Sequence, residues 1–65
     1  MKELTKSSVG QIIVNNDNPE WGEWKIVENR EHEGFVCLQH VERGVSHSRL
    51  LFVNEFHFWS VVKVV

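Results

Sequence analysis

The 65-residue chain has one cysteine, one proline, one methionine and no tyrosine. Each scarcity excludes something. A single cysteine, Cys37, cannot form an intrachain disulfide, so the chain reads as a protein of a reducing compartment, with the cytoplasm as its expected location. No run approaches the roughly eighteen apolar residues that a membrane span requires, and the most apolar stretch is interrupted by Asn54, Glu55, His57 and Lys63. The first eight residues include Lys2, Glu3 and Lys6 and no apolar run, so no secretory leader is expected. Seven basic residues against nine acidic ones give a formal charge of −2. Lys2, Lys6, Lys25, Arg30, Arg43, Arg49 and Lys63 are scattered along the chain. Nucleic-acid binders gather positive charge on one face, because counterion release supplies much of their affinity. The balance therefore speaks against a nucleic-acid partner, while leaving open that folding gathers distant cations.

The length allows one domain. A chain near this size buries only about 60% of its unfolded surface, and small domains often compensate with disulfides or a structural metal. No window shows sustained helical periodicity, and there is no repeat or low-complexity tract. The chain is expected to be all-β.

What is abundant is concentrated at the end. Residues 50–65 read Leu-Leu-Phe-Val, Asn-Glu, then Phe-His-Phe-Trp-Ser-Val-Val-Lys-Val-Val. As one straight strand they would run roughly 53 Å, at about 3.3 Å per residue. A compact chain of this length has a radius of gyration of about 11 Å. The segment must turn, and Asn54-Glu55 is where it can, with Asn54 capping one short 3₁₀ turn. Upstream, residues 9–14 form a β-branched first strand. Asn15-Asn16-Asp17-Asn18-Pro19 is the densest turn signal, since its side chains can bond local backbone. Residues 23–30 read as the second strand, with Trp24 and Ile26 on one face. Residues 29–34 close the first hairpin. Residues 35–42 form the third strand, with Phe35, Cys37, Gln39 and Val41 on one face and Val36, Leu38, His40 and Glu42 on the other. Residues 43–48 make a second hairpin loop, 49–53 a fourth strand and 58–64 a fifth. Residues 1–8 are expected as a loose arm anchored by Leu4 alone, before a single domain over residues 9–65.

Five short strands, a long first loop, two hairpins and a one-turn joint before the last strand resemble SH3-like small barrels. The motifs that carry the likeness are Val9-Gly10-Gln11-Ile12-Ile13-Val14 as the opening strand and Asn54-Glu55-Phe56 as the joint. The resemblance covers residues 9–64 and extends to the Tudor-like and KOW-like group as a whole. It implies a five-stranded barrel and a binding module more often than an enzyme. The chain departs from peptide-binding SH3 domains in lacking the tyrosine pair that receives proline-rich ligands, so that specificity is not implied.

Several clusters bear on function. In Pro19-Glu20-Trp21-Gly22-Glu23-Trp24, two tryptophans bracket a glycine and lie beside two carboxylates. An exposed tryptophan near carboxylates can hold a cation or anchor a protein interface; alternatively Trp24 is core and Trp21 covers an open barrel end. His32, His40, His47 and His57 with Cys37 lack the short paired spacings of zinc sites. They read as surface histidines, available at most for pH sensing, beside a small buried cysteine. A nucleophilic Cys37 would need a base within reach. The pairs Glu20/Glu23 and Glu31/Glu33 lie in loops, where solvated charge is the ordinary state and no cleft shifts one carboxylate. Neither cofactor nor metal is expected. The strand edge formed by Val61, Val62, Lys63, Val64 and Val65 either closes against the first strand or invites another chain.

The expected core draws on Ile12, Val14, Trp24, Ile26, Val36, Leu38, Leu50 or Leu51, Phe52, Trp59 and Val61. The expected function is a non-catalytic protein-interaction module, with Glu20, Trp21, Glu23, Arg49, Phe56 and Phe58 as its contact surface and another protein as its partner. Two further readings remain open: a nucleic-acid-associated barrel of the KOW or Tudor-like type, and a self-associating accessory protein paired through residues 61–65.

Overall fold

The computed structural model describes residues 2–64. Six strands form one antiparallel sheet: β1 (Lys2–Glu3), β2 (Gln11–Asn15), β3 (Glu23–Arg30), β4 (Phe35–His40), β5 (Gly44–Phe52) and β6 (Trp59–Val64). Their order across the sheet is β1-β6-β2-β3-β4-β5, and the sheet curls into a half-barrel. Short 3₁₀ turns lie at Pro19–Trp21, Glu31–Glu33 and Val53–Phe58. Among the described residues no helix is long and apolar enough to cross a membrane.

Register decides what the concave face holds. Ile13 lies opposite both Trp24 and Val61, Trp24 opposite His40, Ile26 opposite Leu38, and Val36 opposite Leu51. Directly opposed residues share a face, so these rows line one surface. Ile13, Trp24, Ile26, Val36, Leu38, Leu51 and Trp59 form the core there, joined by Leu4 and Phe56, with Val61 packed against them. Arg49 lies opposite Leu38 and so occupies, like His40, an inward position on a face that is mostly apolar.

The pairing between β4 and β5 is irregular. Gln39 lies opposite Ser48 but His40 lies opposite Gly44, which leaves Val45, Ser46 and His47 as extra residues on β5. Such bulges bend a strand and re-aim its side chains. Most of the segment expected as the second hairpin loop is therefore strand, and the turn is confined to residues 41–43.

The sheet has six strands where five were expected, because the N-terminal segment is not a loose arm. Lys2 pairs with Val61 and Glu3 with Ser60, and the Leu4 N–H donates to the Trp59 carbonyl at 2.9 Å. Leu4 is fully buried; a domain this small draws on every apolar side chain within reach. β6 is consequently an interior strand. β2 covers one side of it from Trp59 to Val64, and β1 covers the other at Ser60 and Val61; Val65 lies outside the described residues. The long strand at the end of the sheet is β5.

The core differs from expectation where apolar residues run consecutively. In Ile12-Ile13-Val14 it is Ile13 that joins the core, Ile12 is buried outside the main cluster and Val14 is half-buried. A register shift between Ile12 and Ile13 sets a phase that an unbroken apolar run cannot reveal. Likewise Leu51 points inward while Phe52 is 51% exposed, and Phe56 enters the core at 5% exposure. The joint before the last strand is a six-residue 3₁₀ turn that follows Phe52 and has no side-chain cap, rather than one turn capped by Asn54.

Polar bonds fix the N-terminal segment beyond Leu4. Ser7 is buried. Its N–H, at 3.3 Å, and its hydroxyl both donate to the Glu31 carboxylate, and the Asn29 side-chain amide donates to the Ser7 carbonyl at 3.2 Å. The Ser7 hydroxyl, with smaller help from its N–H, from Asn29 and from Lys6, holds the Glu31 pKa below its ordinary value against some desolvation. A lowered native pKa means that this contact stabilises fully above the ordinary glutamate value of about 4.3 and is lost as pH falls through the lower native value.

Two outcomes follow. Leu4→Ala is expected to cost about 2–5 kcal/mol, a large part of the roughly 3–10 kcal/mol available to a domain of this size, measured by urea denaturation; an unchanged midpoint would show that the segment is not part of the core. On acidification the Leu4 and Ser7 amides are expected to lose hydrogen-exchange protection before the centre of the sheet does. Glu31→Gln is expected to remove that early step.

Candidate functional site

The loop between β2 and β3 is built by Asn15. Its side-chain oxygen accepts from the N–H groups of Asp17 at 3.0 Å and Asn18 at 2.9 Å, the local bonding that asparagine favours in turns. The chain then enters the 3₁₀ turn at Pro19, where the missing N–H costs nothing. The Trp21 N–H donates to the Asn18 carbonyl at 3.0 Å and the Gly22 N–H to the Pro19 carbonyl at 3.1 Å. Trp21 is thereby held at the surface, 39% exposed.

His40 fastens this loop to the opposite hairpin. It is buried, and its Nε2 donates to the Trp21 carbonyl at 2.8 Å. Its Nδ1 accepts from the N–H groups of Glu42 and Arg43, each at 3.1 Å. A carbonyl on one nitrogen and two N–H donors on the other require the neutral ring protonated at Nε2. Gly22 is tied to the same contact. Its φ is +85°, and a Cβ there would stand 2.9 Å from His40 Nε2.

Above His40 the three tryptophans of the chain converge on one cation. The Arg49 guanidinium carbon lies 5.1 Å from the ring centre of Trp21, 5.7 Å from that of Trp24 and 5.6 Å from that of Trp59. These distances fall within the range of cation–π attraction, each contact being worth about 0.5–1 kcal/mol at an exposed site. A tryptophan surface able to hold a cation is thus already occupied by a guanidinium of the same chain.

Around this cluster lies a pocket of about 280 Å³ lined by Glu20, Trp21, Trp24, His40, Arg43, His47 and Arg49. Of the candidate contact residues, Glu20, Trp21 and Arg49 come together here. Glu23 lines a separate hollow with Gly22, His40, Val41 and Glu42. Phe58 is exposed, its ring centre 4.0 Å from that of His57. Phe56 is a core residue and is excluded from any contact surface. A larger hollow of about 600 Å³, between Gly34 and the 3₁₀ turn at Val53–Phe58, gathers none of these residues.

Arg43, His40 and His47 were not among the candidates. His47 was placed in a loop, yet it belongs to β5, where it stands two residues from Arg49 and so on the same concave side, with its ring 6.4 Å from that of His40. His40 did carry a signal: it shares a face with Val36 and Leu38, where a histidine is buried and needs partners for both nitrogens. Cys37 is half-buried on the convex face rather than in the core. Among the described residues no group of three histidine, cysteine or acidic side chains is placed to hold a metal ion.

Compared with protein-family models, with curated proteins and with solved structures, the chain matches none.

Gly22→Ala combines a left-handed φ with a collision against His40, and is expected to cost about 2 kcal/mol or more. Equal stability of variant and wild type in chemical denaturation would show that the Trp21 loop is not held by His40.

Proposed function

We propose that the chain is a small non-catalytic protein-interaction module of SH3-like layout, and that its contact surface is the pocket where Glu20, Trp21 and Arg49 meet. The observation that carries this reading is convergence. Residues far apart in the chain line one surface hollow, beside a tryptophan that is well exposed yet held by a fixed loop. Tryptophan and arginine are the residues most often found to dominate protein interfaces. The long first loop and the 3₁₀ turn before the last strand support the SH3-like layout, in which that loop commonly carries the ligand.

The chemistry of the pocket supports binding over catalysis. General acid–base work needs a nitrogen free to exchange a proton with a substrate and a partner that orients it. Both His40 nitrogens are engaged by backbone groups, and His47, held at Nδ1 by the Ser46 hydroxyl, is in no ion pair with a carboxylate among the described residues. Cys37 faces the other side of the sheet, opposite Leu50, away from the histidines of the pocket.

Trp21→Ala removes one exposed cation–π contact, so its stability loss is expected to stay below about 1 kcal/mol. Affinity capture from the source cell with wild type and variant side by side is expected to show a partner retained by the first and lost by the second. A variant that unfolds in thermal denaturation would make Trp21 a structural residue and end this reading.

A further inference from the structure

The pocket is rich in hydrogen-bond donors and poor in acceptors. Arg43 and Arg49 bring guanidinium groups and His47 an imidazole, while Glu20 is the single carboxylate of the lining. Among the described residues neither guanidinium is engaged by a side-chain hydrogen bond or an ion pair, whereas His47 Nδ1 lies 3.1 Å from the Ser46 hydroxyl. The ion pairs among the described residues join Arg30 to Glu28 and Glu33, and His32 to Glu33; none includes Arg43 or Arg49. Trp24 is only 8% exposed, and its Nε1 has no hydrogen-bond partner, a state that buried polar atoms seldom keep. The tryptophan faces position Arg49 without neutralising its charge.

The pocket also opens beside an unpaired strand edge. β5 ends the sheet, so alternate backbone groups point away from β4 with no strand to meet them. Ser48 to Phe52 pair regularly with β4, so this stretch has the geometry of a template. Its two faces differ in chemistry. Arg49 and His47 lie on the concave side, over the tryptophans and beside His40. Leu50 and Phe52 are about half exposed on the convex side, opposite Cys37 and Phe35.

Resting on the reading of this surface as a protein-binding one, we propose that the β5 edge receives an extended segment of a partner protein in which acidic and apolar residues alternate. A strand added here sends successive side chains to opposite faces. Carboxylates two residues apart meet Arg49 and His47 with Arg43 at hand, where charge-assisted bonds are strongest. The intervening apolar side chains cover Leu50 and Phe52. A second copy of the chain fits less well. β5 contains no carboxylate, and two such strands paired about a two-fold axis set donors against donors.

The probe is a fluorescein-labelled peptide, Thr-Val-Glu-Val-Glu-Val-Thr-amide, titrated with the intact protein and followed by anisotropy. Saturable binding is expected, falling as salt rises, together with slowed amide exchange at residues 47–51. The same peptide with lysine for glutamate is expected not to bind. Arg49→Gln and, as a variant that leaves the tryptophan cluster intact, Arg43→Gln are each expected to weaken binding about tenfold. Absence of saturable binding, equal binding of the lysine peptide, or protection confined to other strands would overturn the proposal. So would a concentration-dependent dimer that protects β5 without peptide, or binding of an oligonucleotide at the pocket in preference to the glutamate peptide. If the glutamate peptide fails while Trp21→Ala still loses a captured partner, the contact surface stands and the acidic ligand falls.

Discussion

Arg49 spans a seam that the backbone leaves open, since it belongs to β5 while one of the rings beneath it, Trp59, begins β6, and these strands are not neighbours in the sheet. A closed barrel joins its first and last strands by hydrogen bonds. Here that work falls to side chains. Leu51, Phe56 and Trp59 fill the concavity, and the Arg49 guanidinium lies over the tryptophans at its rim. An arginine suits the position because its apolar stem covers carbon surface while its planar head stacks on aromatic rings. The pocket is lined by residues that this contact brings together across the seam.

The same arrangement connects stability with the surface proposed for binding. His40 sits at the inner end of a row that runs Ile13, Trp24, His40, and spends both ring nitrogens on the Trp21 loop and the 41–43 turn. It converts an inward, apolar position into a rigid support for the outer tryptophan. Alternation along β5 acts in the same direction by putting His47 on the same side as Arg49, at the pocket. A recognition surface on a small domain benefits from such rigidity, because little ordering entropy is then lost on binding.

Much of the strand plan was legible. Residues 23–30 were assigned as a strand and form β3 with those bounds, because Trp24 and Ile26 alternate with charged neighbours and flanking turn residues are clear. The asparagine cluster was legible as a turn for a chemical reason, the short amide side chain that bonds nearby backbone, and Asn15 does so. Legibility failed where period and burial part company. Ile12-Ile13-Val14 and Leu50-Leu51-Phe52 are unbroken apolar runs, so which residue faces inward depends on bulges and partners. The N-terminal segment failed for another reason: Leu4 is one apolar residue in a polar stretch, and its burial is decided by a groove that forms only after the other strands assemble.

For the site, residue chemistry marked Glu20, Trp21 and Arg49 as candidates, yet nothing in their spacing joins residues 20 and 21 to residue 49. The sequence by itself determined the all-β class, the turn that carries Trp21 and the joint before the last strand, because these rest on local backbone preference and alternation. Tertiary structure alone decided that the sheet stays open at β5, that Leu4 and Phe56 belong to the core, and that three tryptophans share one arginine. Those outcomes depend on which strands become neighbours and in what register. Register is a property of pairs of distant segments, which no local stretch of sequence contains.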